Sequence, residues 1–152
     1  MIWKKLLLTG GICSVLVGVL HIVIIFWGAP AYRYFGAGEE MAVMANNGSL
    51  VPALVTLIIA IVFIIWGVYA FSGAGLVRRY PMLRMGLFTI GSIYTLRGLL
   101  TVYQIYEMTA LNKTIVIHAF VFSLVSLFIG ILYLLGVLKG WRILKTGRTL
   151  PQ

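Results

Sequence analysis

Four long apolar runs constrain this chain more than any other feature: residues 6–27, 50–71, 82–108 and 114–138, each longer than the roughly 20 residues a helix needs to cross bilayer hydrocarbon. Hydrocarbon offers no water to a backbone N–H or C=O, so only helices and closed barrels persist there, and unbroken runs of this length select helices. A hydrophobic share of 62% with 10% charged residues lies far outside the range of soluble domains. The expected fold is therefore all-α, an integral-membrane four-helix bundle made from one transmembrane domain over residues 1–152. Lys4 and Lys5 precede the first run as they would in a signal peptide, but the run exceeds the apolar length of such a peptide and is expected to stay as a permanent helix.

The turns between the runs carry their own signals. Ser49 stands where a helix cap is needed, and Pro52 falls in the first turn, where its missing N–H breaks no bond. Ser72-Gly73-Ala74-Gly75 reads as a helix end rather than a nucleotide loop, because no phosphate-binding lysine follows. The long first connection contains residues 39–46, bounded by Gly38 and Asn47-Gly48, which predict a short interfacial helix with Met41 and Met44 turned toward the membrane. A tight turn near Asn112 and Lys113 joins the last two runs as antiparallel neighbours.

The net charge of +9 does not mark a nucleic-acid binder, because the basic residues flank apolar runs instead of forming one polar face. Nine of them (Lys4, Lys5, Arg78, Arg79, Arg84, Lys139, Arg142, Lys145 and Arg148) fall on one side of the spans, and two, Arg33 and Lys113, on the other. The positive-inside rule then predicts that both termini are cytoplasmic and that the 28–48 connection faces out. Anionic membrane lipids are the expected partners of that basic side. Cys13 is the only cysteine, so no internal disulfide or thiol pair exists, and it reads as a small packing residue.

Polar residues inside the runs are few and patterned. Gly10, Ser14 and Gly18 recur every four residues on the first run, marking a face where helices approach closely, and His21 continues that face into the bundle. On the third run Tyr94, Arg97, Thr101 and Gln104 follow at spacings of three and four, with Glu107 near the end. An arginine at mid-span is unfavourable by about 2.5–3.5 kcal/mol, so Arg97 should face the interior and find a partner. Glu107 is ten residues away, about 15 Å along a helix, which leaves Glu39 or Glu40 from the first connection, water, backbone carbonyls or an anionic ligand to satisfy its five donors. His118 on the fourth run lies at a depth comparable to His21, and the two would meet if the first and fourth helices are neighbours.

This pattern predicts an apolar pocket with a few convergent polar groups: Arg97 holding an anionic group, His21, Gln104, His118, Thr101 and Glu107 adding hydrogen bonds, and Tyr94 forming a wall. The leading expectation is a non-enzymatic membrane protein that binds a lipid-like or anionic small molecule without a cofactor. No nucleophile stands beside a base, and Ser123 and Ser126 are expected to bond their own helix backbone. Two alternatives stay open. One is an accessory subunit whose small-residue faces bind another membrane protein or a second copy of the chain. The other is a redox or isomerase-type membrane enzyme, in its haem form with His21 and His118 on the iron.

The four compact spans, the Trp27-Gly28-Ala29-Pro30 exit and the glycine- and arginine-containing turn after the second span resemble the layout of small four-helix membrane proteins of bacteria, DoxX-like ones among them. The resemblance implies location in a bacterial inner membrane. It carries over no active-site residues.

Overall fold

The computed structural model describes residues 1–110 and 117–146, with only the backbone of Gln104, Glu107, Met108, Thr109, Lys145 and Thr146. Its elements are α1 (Ile2–Trp27), α2 (Ala29–Tyr34), α3 (Glu39–Asn46), α4 (Val51–Ala74), α5 (Leu83–Ala110) and α6 (Ile117–Thr146). Four of them, α1, α4, α5 and α6, are long and apolar enough to cross a membrane. The first starts four residues before the apolar run, and the last passes its end by eight. Apolarity marks the stretch suited to hydrocarbon, whereas helical bonding continues as long as the backbone has partners.

Boundaries between elements follow local chemistry. α1 stops at Gly28, whose φ of 73° lies in the left-handed region that a residue with Cβ enters at a cost. Ser49 Oγ accepts from the Val51 N–H at the start of α4. At the far end of α4, Leu76 N–H donates to Phe71 O and Gly75 N–H to Ser72 O, with Gly75 at φ 85°, which is the paired-bond stop that satisfies the last carbonyls of a helix. The Ser72 hydroxyl then ties the following turn back onto the helix, accepting from Tyr80 N–H and donating to Arg78 O.

The bundle is built from two tight pairs, α1 with α4 and α5 with α6, joined mainly through α1 and α6. Close approach rests on glycine. A Cβ on Gly98 of α5 would lie 2.5 Å from Leu127 Cα, and one on Gly130 of α6 would lie 2.7 Å from the Thr95 nitrogen, so these helices touch backbone to backbone. In the other pair, a Cβ on Gly67 would sit 2.9 Å from Gly11 O. Trp3 packs on Gly140 and Leu7 on Gly136, which places the start of α1 beside the end of α6.

Packing divides into two layers along the bundle axis. The main core gathers Trp3, Leu7, Leu87, Ile90, Tyr94, Ile129, Tyr133 and Val137, with Leu7, Leu87, Tyr133 and Val137 fully buried. A second cluster of Ile24, Ala29, Ala31, Tyr32 and Ala42 seats α2 and α3 against the end of α1, with Met41 packed beside it. Next to it, Arg33 clasps Glu39 through Nε–Oε2 at 2.9 Å and Nη2–Oε1 at 2.7 Å, holding α2 to α3.

Hydrogen bonding and charge from Arg33 hold the exposed Glu39 carboxyl below its usual range. A depressed carboxyl contributes to the clasp above its unfolded pKa and ceases to contribute as pH falls through the folded value. An NMR titration of Glu39 should therefore show a midpoint below that of an ordinary glutamate, and Arg33→Gln should return it to the ordinary value.

Candidate functional site

Between the two pairs of helices lies a cavity of about 320 Å³, bounded by all four spanning helices and closed at one end by Phe35 from the segment after α2. Its walls mix aliphatic and aromatic side chains. Phe63 meets Trp66 edge-on and Tyr94 at a tilt, with ring centroids 5.4 and 5.8 Å apart, and His21 lies 5.1 Å from Phe63. Phe35 stacks on Phe122 at 5.3 Å, and the adjacent Tyr34 stacks on His118 at 4.7 Å, so two aromatic contacts hold the α2 segment over the cavity's end.

His21 reaches the cavity because Gly10, Ser14 and Gly18 turn that face of α1 into the bundle, where all three are buried. Its Nδ1 is 2.8 Å from Val17 O, one turn back on the same helix. If Nδ1 carries the proton to that carbonyl, Nε2 is left as an acceptor.

Arg97 is the charged group of the site. It lines the cavity yet is exposed, and among the described residues its guanidinium has one hydrogen bond, from Nη1 to Ser123 Oγ at 3.4 Å, the long end of the useful range. Ser123 in turn donates to Ala119 O, so that hydroxyl is already committed to its own helix. No carboxylate among the described residues pairs with Arg97. The expectation that Glu39 reaches inward gives way to the Arg33–Glu39 clasp, because Arg33 is six residues away on an adjoining helix and offers two parallel bonds.

The floor of the cavity is a chain of hydroxyls linking all four spans. Tyr94 on α5 donates to Ser14 Oγ on α1 at 3.0 Å, Ser14 lies 3.0 Å from Tyr133 Oη on α6, and Tyr133 donates to the Trp66 carbonyl of α4 at 2.9 Å. Because the protons of Tyr94 and Tyr133 are spent in those directions, Ser14 donates to Tyr133, and every hydroxyl gives one bond. Ser14 and Tyr133 are both fully buried, where an unmade bond would be costly.

The structure thus brings Arg97, His21 and Tyr94 together in one cavity. It separates His118, which lies against Tyr34 outside the cavity wall, and Thr101, which is buried away from it with no hydroxyl partner among the described residues. The side chains of Gln104 and Glu107 lie outside the described residues. Four residues that the polar pattern did not mark also matter here, Phe63, Trp66, Phe35 and Tyr133, and Ser14, marked there only for close helix approach, is the hydrogen-bonding hub. Aromatics in an apolar run look alike whether they face lipid or a cavity, so only the Gly10-Ser14-Gly18 face hinted at any of them.

Among the described residues no group of three or more metal-ligating side chains converges. What this arrangement can do chemically is donate to and screen an anionic or carbonyl-bearing group at Arg97 while holding apolar matter against aromatic walls. Comparison with protein-family models, with curated proteins and with solved structures finds no match for the chain.

Proposed function

We propose that the protein is a non-enzymatic membrane protein that binds an amphipathic molecule with an anionic group in the cavity between its four spans. One observation carries this reading: Arg97 enters the wall of an otherwise largely apolar cavity with no carboxylate partner among the described residues. A guanidinium in low-dielectric surroundings retains most of its favourable interaction for a ligand when the protein does not neutralise it. The shape supports the same reading, since an apolar pocket with few polar groups fixes orientation through those few.

The reading extends to placement. We place both termini in the cytoplasm of a bacterial cell, on the strength of the nine-to-two distribution of basic residues, with α2 and α3 on the outer face of the inner membrane. On this placement α3 lies at the interface, its half-buried Met44 toward the bilayer while Met41 packs on the cluster around Ile24 and Tyr32. The basic side has aromatic support: the Arg84 guanidinium sits 4.2 Å from the Trp141 ring centroid.

Native mass spectrometry of the mildly extracted protein tests the binding reading. Wild type is expected to retain anionic amphiphiles, and Arg97→Leu to lose about tenfold or more of that retention, as removal of a charge-assisted bond of about 1.5–3 kcal/mol implies. Equal retention by both proteins would remove the reading's basis.

A further inference from the structure

Resting on that binding reading, we infer that the occupant is an anionic bilayer phospholipid that enters sideways through a seam between α4 and α5, with its headgroup at Arg97 and a chain lying along the seam. The α4/α5 contact is the least extensive of the four contacts between adjacent spans, and its closest approach is toward the end that holds the termini. There a Cβ on Gly86 would meet the Tyr69 ring at 2.8 Å, and Tyr69 stacks on Tyr80 at 5.2 Å. At mid-length, Trp66 reaches Tyr94 at 5.3 Å.

Beyond Tyr94, toward the α2–α3 end, the facing stripes are uncovered. Helical spacing puts Ile59 and Val62 one turn beyond the cavity-lining Phe63 and Trp66, and Leu100 three residues beyond the cavity-lining Arg97. Ile59, Val62 and Leu100 are 39%, 38% and 45% exposed. On the proposed route these branched apolar side chains edge the seam between the lipid-facing surface and the cavity wall that holds Arg97.

The alternative way in, from the water at the α2–α3 end, is stopped by Phe35 on Phe122 and Tyr34 on His118. Charge and shape therefore match a molecule already dissolved in the bilayer.

The test uses the full chain reconstituted in phosphatidylcholine vesicles doped with phosphatidylglycerol, followed by mild extraction and native mass spectrometry of the retained lipid. Wild type should keep phosphatidylglycerol over phosphatidylcholine. Leu100→Trp and, on the opposite wall, Ile59→Trp should each cut phosphatidylglycerol retention severalfold; both positions are exposed, and a thermal melt like that of wild type verifies folding. Excess inorganic phosphate should leave retention unchanged.

If Arg97→Leu lowers retention while both tryptophan variants leave it intact, the seam is overturned and the binding site survives. Displacement by inorganic phosphate would overturn the lipid as occupant. Were Arg97→Leu itself to make no difference, the binding reading and the seam would fall together.

Discussion

Gly98→Leu is expected to abolish the folded bundle in detergent, seen as loss of the monodisperse peak and of a cooperative melt. The added Cβ would meet the α carbon of Leu127, and a backbone atom within a helix has no rotamer by which to move aside. Relief requires α5 and α6 to separate along one of the two closest seams in the fold. Overpacking usually costs about 1–3 kcal/mol, and this substitution should exceed that range because the obstruction is main chain on both sides. Gly98→Ala should fall partway, with a lower melting temperature and retained cooperativity. Leu96→Ala on the same helix is the control: Leu96 is 67% exposed, and its change should be neutral within error. A melt of Gly98→Leu equal to wild type would mean that α5 and α6 do not meet as described.

The second large effect is expected at Tyr133, and a pair of variants separates its two roles. Tyr133 is fully buried, with its ring 3.0 Å from where a Cβ on Gly10 would be and its own Cβ 2.9 Å from where one on Gly91 would be, so it fills the gap between two glycine faces. Tyr133→Ala empties that gap. In water such a truncation costs about 3–5 kcal/mol, part of it transfer out of water. Between membrane helices the unfolded reference is also in hydrocarbon, so the packing term remains and a loss of about 2–4 kcal/mol is expected.

Tyr133→Phe keeps the ring and removes only the bonds to Ser14 and the Trp66 carbonyl. Interhelical bonds of this kind average about 0.6 kcal/mol with a maximum near 1.7, so the phenylalanine variant should melt only slightly earlier. Unfolding in mixed micelles measures both. If phenylalanine and alanine were equally destabilising, the hydroxyl chain would outweigh the ring, and the packing account would be wrong. Because Tyr94 and Trp66 line the cavity and also belong to this chain, both variants should additionally change ligand retention in proportion to how far they move the cavity floor.

Much of this architecture is legible in the amino-acid sequence. Apolar length identifies the spans because hydrocarbon forbids unpaired backbone groups, a rule that acts on composition and needs no knowledge of neighbours. Ser49, Gly28 and Gly75 mark helix ends because capping is settled within a few residues of chain. The Gly10-Ser14-Gly18 face announced close contact for the same local reason, and Arg97 stood out because a charge at mid-span demands an explanation.

Tertiary structure alone decided who meets whom. Nothing along the chain pairs Ser14 with Tyr94 and Tyr133, residues 80 and 119 positions away, since that depends on how two helix pairs rotate against each other. The same holds for the cavity walls: Phe63 and Trp66 have the same apolar signature as lipid-facing aromatics, and their turn inward follows from glycine contacts that draw α1 against α4. His21 and His118, similar in depth on paper, have separate ring neighbours, because Tyr34 folds back over the bundle end to meet His118 while Phe63 occupies the space beside His21. Local chemistry set the rods and their ends; the angle and depth at which glycine lets the rods touch set the space between them.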